Sequence, residues 1–438
     1  MRVFRIARDR KRIAMEGLIE VYADWSDGET AKRLGTLRVR SGRTGELFDF
    51  TFDEGALDDP KLARQTLDPD LGFFPGPQYP RDGRTMFGVF KDSSPDRWGE
   101  MLIRRRFDRD KRAGLVARSA RLGESDYLLG VHDTFRSGAL RYKLIEDGSF
   151  LDDRDGSAAL PFVRLRELEA ASRAIEDDPR DENPATDEWL RMLLAPGASL
   201  GGARPKASVV DVDGHLWIAK FPSVRDRYDV GVWELVVQKL AERSGLHLPP
   251  SEARAFTDAG HTFLVRRFDR RESGARVHFA SAMTLTGHAD GDDASSGASY
   301  LEIAEVIMSQ GAATREDLRE LWTRIVFNIM VSNADDHLRN HGFLLAPNSG
   351  WRLSPAYDMN PVPGSSGLSL NIDESDNALD LDLARSVAPY FRIKDAEAKS
   401  TIDRIADAVG GWPDIASTLG IKRSEQDAMS SAFRTPPA

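Results

Sequence analysis

VSNADDHLRNHGFLL, residues 331–345, joins a long apolar run to a stretch patterned as a strand. It crowds Asp335, Asp336, His337 and Asn340 into one short connection. Metal binding, phosphate chemistry and a plain helix cap would each suit such a cluster. The order of elements around it has to decide.

Composition sets the bounds. At 438 residues, and about 150 residues per domain, two or three structural units are expected. The hydrophobic share of 41% is enough for real cores. A net charge of -10 argues against bulk coating of nucleic acid. The cluster Arg104, Arg105, Arg106, Arg109, Lys111 and Arg112 is either a local binding patch or, the reading we favour, a solvated helix face. With no cysteine there are no disulfides, thiolate metal sites or cysteine nucleophiles. The first residues carry charges every few positions and no apolar signal core. No apolar run reaches the length of a membrane span, so a cytoplasmic protein is expected.

Upstream of the cluster, GLIEVYADW (17–25) and RLGTLRVRSGRTGELFDFTFD (33–53) alternate like strands with glycine turns. A helix should begin near Pro95 and Asp96, with Trp98 as a packing residue. DYLLGVHDTFRSGALRYKL (126–144) reads as a strand and turn. The acidic stretch AIEDDPRDENPATDEW (174–189), punctuated by Pro179 and Pro184, reads as a surface loop or linker. The expected division is 1–150, a β-rich amino-terminal domain; 151–275, a β/α region with a glycine loop; and 276–438, a helical lobe.

From residue 196 a glycine-rich turn leads to a strand (206–212), an Asp213-Gly214 turn and a second strand (215–221) that carries Lys220. An apolar helix with Glu234 stops at Gly245. Another hairpin (251–271) follows, then helices, one opening with Thr314 as its N-cap. Next come Asp335, Asn340 five residues on, a short hairpin, and Asp358. This is the part order of a protein kinase: phosphate loop, strand lysine, helix glutamate, catalytic aspartate and two metal ligands. The fold class expected is α+β, a bilobal protein-kinase-like fold.

The chemistry explains these residue types. Phosphoryl transfer develops charge on phosphate oxygens and needs positioned cations and a proton acceptor. Magnesium prefers oxygen ligands, which Asn340 and Asp358 supply. The five-residue spacing selects Asp335 as the base and leaves Asp336 as a loop or capping residue. Lys220 and Glu234 are costly to bury alone and make sense as a pair. Gly201, Gly202 and Ala203 suit backbone contacts to phosphate, although a simple turn would look the same. Lys206 either reaches a phosphate or faces solvent. His337 is read as a structural histidine that hydrogen-bonds the loop at the nucleotide site, since no zinc partners accompany it.

NADDHLRNHGFLL (333–345) with WRLSPAYDMNP (351–361) resembles the signature of HipA-family serine/threonine kinases, the toxins of bacterial toxin–antitoxin pairs. ASLGGARPKA (198–207) resembles that family's phosphate loop, FLVRRFDR (263–270) its hinge strand, and FGVFKDSSPDRWGEMLIRRR (87–106) with LLGVHDTFRSGALRY (128–142) its amino-terminal domain. The resemblance implies ATP and Mg2+ as cofactors. It makes Asp335 catalytic, Asn340 and Asp358 metal ligands, Lys220 a phosphate contact, and Arg267 with Phe268 part of the adenine hinge. It also implies autophosphorylation of Ser199 as a self-inactivating switch; otherwise Ser199 only caps the turn. Arg266, where the family often has an acidic residue, and Arg204-Pro205, which stiffens the loop, depart from its pattern.

As partners the resemblance implies a protein substrate, in known members an aminoacyl-tRNA synthetase. It also implies a small DNA-binding antitoxin of HipB type, with operator DNA reached only through that complex, and no membrane. Two other readings compete: a small-molecule kinase on the same fold, and a catalytically silent DNA-binding corepressor. A helix-turn-helix look at 414–429, with Gly420 at the turn, reads better as the end of a helical lobe.

Overall fold

A computed structural model describes residues 17–25, 30–43, 45–59, 65–81, 83–144, 148–152, 160–178, 181, 183, 186–197, 202 and 204–435. The chain forms two compact units. One comprises Met1–Val224 with Asp269–Ala280, the other Arg225–Phe268 with Ser281–Ala438.

In the first unit the alternating stretches become β1 (Gly17–Ala23), β2 (Lys32–Ser41) and β3 (Glu46–Phe52), an antiparallel meander. Ile19, Val21, Leu37, Phe48 and Phe50 are buried. The helix expected after Pro95 is α1 (Arg97–Arg112), capped by Asp96, whose carboxylate accepts from Gly99 N at 2.7 Å. Trp98 is buried, as a packing residue should be.

The strand expected over 126–144 is only partly there. Its first part is helix α2 (Glu124–Gly130), and β4 (Leu140–Lys143) alone is strand, pairing with β1. Asp126 starts the helix by accepting from Gly123 N at 2.9 Å. Tyr127, Leu128 and Leu129 are all buried, and such a run has no period that separates helix from strand. Between α2 and β4, Arg136 is wholly buried. It donates to the carbonyls of Ser93 (2.9 Å), Leu128 (2.8 Å), Val131 (2.9 Å) and Leu151 (3.0 Å).

After β5 (Leu160–Pro161), the acidic region holds α3 (Leu165–Asp177) and α4 (Thr186–Gly197), so only 178–185 connects helices. Pro179 and Pro184 lie outside the described residues. Leu165, Leu168, Ala171, Ser172 and Ile175 form one buried helical face of α3. The basic cluster on α1 is not a bare solvated face. Arg109 donates through Nε to Asp181 at 2.8 Å, through Nη1 to Asp187 at 3.2 Å and through Nη2 to Thr186. Arg112 pairs with Asp181, and Arg105 donates to the Ile175 carbonyl at 2.7 Å. The charges tie α1 to the chain that enters α4.

The glycine region leads into β6 (Lys206–Val210), parallel to β5 and antiparallel to β7 (Leu216–Lys220). Asp211 closes their turn by accepting from Asp213 N (2.9 Å), His215 N (2.9 Å) and Trp217 Nε1 (2.8 Å). Gly214 there takes φ 87°, which favours glycine.

The second unit begins with α5 (Val230–Arg243), followed by Gly245 at φ 77°. The hairpin β8 (Ser251–Thr257) and β9 (Gly260–Arg266) comes next. Then come α6 (Tyr300–Gln310) and α7 (Thr314–Val331). Thr314 is the first residue of α7 and not its cap; Ala313 holds the cap position, and the Thr314 hydroxyl donates to the Ile307 carbonyl at 3.4 Å. Leu318, Leu321, Trp322, Ile325, Val326, Phe327, Ile329 and Met330 are buried, so α7 is a core helix. Each such apolar side chain contributes about 1.5–3 kcal/mol.

After α7 come the cluster and a hairpin, β10 (Gly342–Ala346) with β11 (Gly350–Leu353). The unit closes with α8 (Leu381–Val387), α9 (Asp395–Gly410), α10 (Trp412–Thr418) and α11 (Arg423–Met429). Gly420, at φ 77°, turns the chain between the last two. Among the described residues no helix is long and apolar enough to cross a membrane.

Candidate active-site loop

Helix α7 ends abruptly. Ser332 adopts φ 50°, a left-handed conformation uncommon outside glycine, and Asn333 N returns to the Asn328 carbonyl at 2.9 Å. The chain then runs through Asp335 and Asp336 into one turn of 3-10 helix at Leu338–Asn340. Asp335 is exposed. Asn340 is buried, and its side-chain nitrogen donates to the Asp335 carbonyl at 2.9 Å. With the nitrogen so used, the amide oxygen is the atom Asn340 has to offer a cation. His337 braces the loop with its backbone, donating to the Asp335 carbonyl at 3.0 Å and accepting from Asn340 N at 2.8 Å. Its ring Nδ1 is buried and has no hydrogen-bond partner among the described residues.

Asp336 lies on the loop, as expected, but it caps no helix and anchors the loop in the core. It is buried, and its Oδ2 accepts from Tyr300 (2.5 Å), Asn328 Nδ2 (2.7 Å) and His341 Nε2 (2.8 Å). Burial alone would raise its pKa, but the charge and hydrogen bond of His341, with the Tyr300 hydroxyl, hold it below the usual carboxylate value. Burial, and then the Asp336 charge, push Tyr300 well above its ordinary value, so it stays a phenol and a donor. The loop is therefore pinned from α6, from α7 and from the start of β10.

The segment carrying Asp358 is tied to the same loop. Asn360 N donates to Asn333 Oδ1 at 3.1 Å, Val362 N to the Ser332 carbonyl at 3.0 Å, and the Tyr357 hydroxyl to the Arg339 carbonyl at 2.7 Å. Phe268, from the expected hinge, meets Tyr357 with ring centroids 5.4 Å apart. Asp358 itself sits at φ 58°, a conformation that costs an aspartate free energy and is found where surroundings impose it. An amide oxygen and a carboxylate on two loops stitched together make a hard-oxygen donor set that fits magnesium.

Of the residues expected to form a phosphate loop, those described lie in the first unit. Ser199, Gly201 and Ala203 lie outside the described residues. Gly202 has φ 105°, and a Cβ on it would lie 2.8 Å from Lys206 Nζ. Lys206 does not face solvent: it is buried, and its Nζ lies 3.0 Å from Asp96 Oδ2. Lys220 ends β7, half-buried, directly across the strand pair from Lys206. Glu234 in the second unit is buried on α5, and Arg267 is buried beyond β9. Sequence reasoning missed Asn328, Asn333, Tyr300 and His341. One signal was present: Asn328 interrupts the apolar run IVFNIMV, and a buried amide needs partners.

Residues 198–412 match the family described as HipA-like C-terminal domain. A Haemophilus influenzae protein named "Putative kinase" is 27% identical over 38% of this chain and 54% of its own length. A Sinorhizobium fredii protein named "Putative kinase Y4mE" is 29% identical over 40% of this chain and 43% of its own. The chain thus spans about half the length of the curated relatives it matches. Among solved structures, HipA from the Shewanella oneidensis MR-1 complex of HipA, HipB and operator DNA superposes with a TM-score of 0.57 over 94% of both chains, at 15% identity. That likeness concerns the fold, which is α+β and kinase-like.

Proposed function

We propose, from the match of residues 198–412 to the HipA-like C-terminal domain family, that the chain is a HipA-type kinase acting on serine or threonine in a protein substrate. The observation that carries the reading is the Asn340 side chain tied to the Asp335 carbonyl, beside a stitched-on Asp358. Bound ATP and magnesium supply the phosphoryl group and the countercharge. Asp335, exposed at the loop, accepts the proton of the attacking hydroxyl. Asn340 and Asp358 hold the metal through oxygen. Lys220 serves the nucleotide's phosphates, with Gly201, Gly202 and Ala203 as phosphate loop, and Arg267 and Phe268 serve as adenine hinge. His337, with its buried Nδ1, lines the nucleotide site.

In the cell we propose a cytoplasmic toxin of a toxin–antitoxin pair, with a translation component as substrate. The Shewanella HipA, seen with HipB and operator DNA, supports a small DNA-binding antitoxin as partner. Phosphorylation of Ser199 would place nearly two negative charges in the phosphate loop and shut the enzyme down. The test is incubation of wild type and Asp335→Ala with labelled ATP and magnesium, followed by mass spectrometry of the protein and of a lysate. Phosphoprotein with wild type alone is expected. Turnover only with small alcohols favours a small-molecule kinase. No ATP binding at all, with operator binding through a partner intact, favours the corepressor.

A further inference from the structure

Two lysines sit opposite each other on β6 and β7, Lys206 against Lys220. Directly opposed residues of an antiparallel pair project from the same face, where like charges repel. The first unit resolves this with Asp96. Its Oδ2 lies 3.0 Å from Lys206 Nζ, and the two side chains are 1% and 3% exposed. Asp96 Oδ1 meanwhile caps α1. The next turn of chain adds two contacts: Trp98 Nε1 donates to the Lys206 carbonyl at 3.1 Å, and Trp98 N to the Gly202 carbonyl at 3.4 Å. Arg136 holds the approach to this corner through the Ser93 carbonyl. Lys206 Nζ ends directly beneath Gly202, where any side chain would strike it.

We propose that Asp96 is a positioning residue for the phosphate site, holding Lys206 as the support beneath Gly202 while Lys220 takes the role of phosphate contact. The proposal rests on the phosphate-loop reading. It assigns to the amino-terminal part of the chain a task in nucleotide binding, carried by the start of α1. The buried Asp96 carboxylate fixes the Lys206 ammonium close under the glycine turn, since a buried ammonium is costly to keep without a counter-charge.

The test compares wild type, Asp96→Asn, Lys206→Met and the double variant, each checked for folding by circular dichroism. Asparagine keeps the helix cap and removes the charge, so the ion pair is probed without α1. Two readouts are used: hydrogen exchange over residues 202–210 without nucleotide, and ATP affinity with steady-state kinetics. Asp96→Asn should speed exchange there. It should raise the ATP Kd and KM on the order of tenfold, the size of one lost charge-assisted hydrogen bond, and keep kcat at saturating ATP. The double variant should be no worse than Asp96→Asn, because both have lost the same pair. Unchanged exchange and Kd in folded Asp96→Asn overturn the proposal, as does a lowered melting temperature with exchange in this segment unmoved. A loss of kcat in Lys206→Met at saturating ATP also overturns it, since Lys206 would then touch the reacting phosphate. If wild type binds no ATP, the kinase reading fails on that result, while the exchange comparison still decides whether Asp96 orders the loop.

Discussion

Asp335 and Asp336 are neighbours in the chain and opposites in chemistry. One is exposed and positioned by backbone contacts; the other is buried with three donors on one oxygen. Asp336→Ala leaves a tyrosine hydroxyl, an amide and an imidazole unpaired in the core and should cost about 3–5 kcal/mol. Asp335→Ala should change stability by less than about 1 kcal/mol. Urea unfolding of both variants checks this, and equal losses would mean the loop is not pinned through Asp336. The pH dependence follows from the depressed folded pKa of Asp336. Its stabilisation is present above the ordinary carboxylate value of 3.8 and is lost as pH falls through the lower folded value. Asp336→Asn should therefore show a flatter stability curve below about pH 4 than wild type. Spacing placed Asp335 and Asn340 on one short loop, and there they are joined. It could not reveal Asp336, because its partners Tyr300 and Asn328 come from other helices.

At the scale of elements, helices with a clean apolar period and a cap were legible, and elements defined by distant partners were not. Helix α5 was expected with Glu234 on it and stops where Gly245 indicated. What holds its start was invisible, because it comes from the far end of the chain. Trp233, on the first turn of α5, donates to Glu425 at 2.7 Å and meets Trp412 and Phe433 at centroid distances of 6.0 and 5.9 Å. Trp412 and Phe433 stack at 4.6 Å. The same final segment reaches the end of α7, just before the candidate loop, where Arg434 donates to Ser332 Oγ at 3.1 Å and Arg434 N to the Met330 carbonyl at 2.7 Å. Trp412→Ala opens the aromatic stack at a half-buried position and should destabilise by about 2 kcal/mol. A lowered urea midpoint with an unchanged slope is the expected record, and an unmoved midpoint would make the stack an idle surface contact. The linker expected over 174–189 missed for a related reason. Acidic residues such as Asp181 and Asp187 looked solvated in sequence because Arg109 and Arg112 stand far upstream.

For the whole molecule, neither unit is a continuous piece of chain. The family match at 198–412 takes in residues of both units. Residues 269–280 leave the second unit's stretch of sequence to complete the first. Pro222 and the charged run at 266–272 stand beside these crossings, but similar punctuation recurs along the chain, so composition did not single them out. The contacts show why the segment stays. Asp269 Oδ2 accepts from Gly138 N at 2.9 Å, and Arg270 donates to the carbonyls of Thr134 (3.2 Å) and Arg136 (2.9 Å). Arg276 donates to the Asp133 carbonyl at 2.6 Å and its carboxylate at 3.2 Å. Burial would raise the pKa of Asp133, and Arg141 with Arg276 holds it low. A fragment of residues 17–224 therefore loses partners for buried groups around Asp133 and Gly138, not merely a surface loop. It should be less stable, by about 3 kcal/mol or more, than the same fragment with 269–280 restored through a flexible linker. Urea unfolding of the two fragments at one pH measures the difference. Equal midpoints would show that the returning segment only decorates the unit; a gain confined to the fragment with intact Arg270 and Arg276 would show that it completes the core around them.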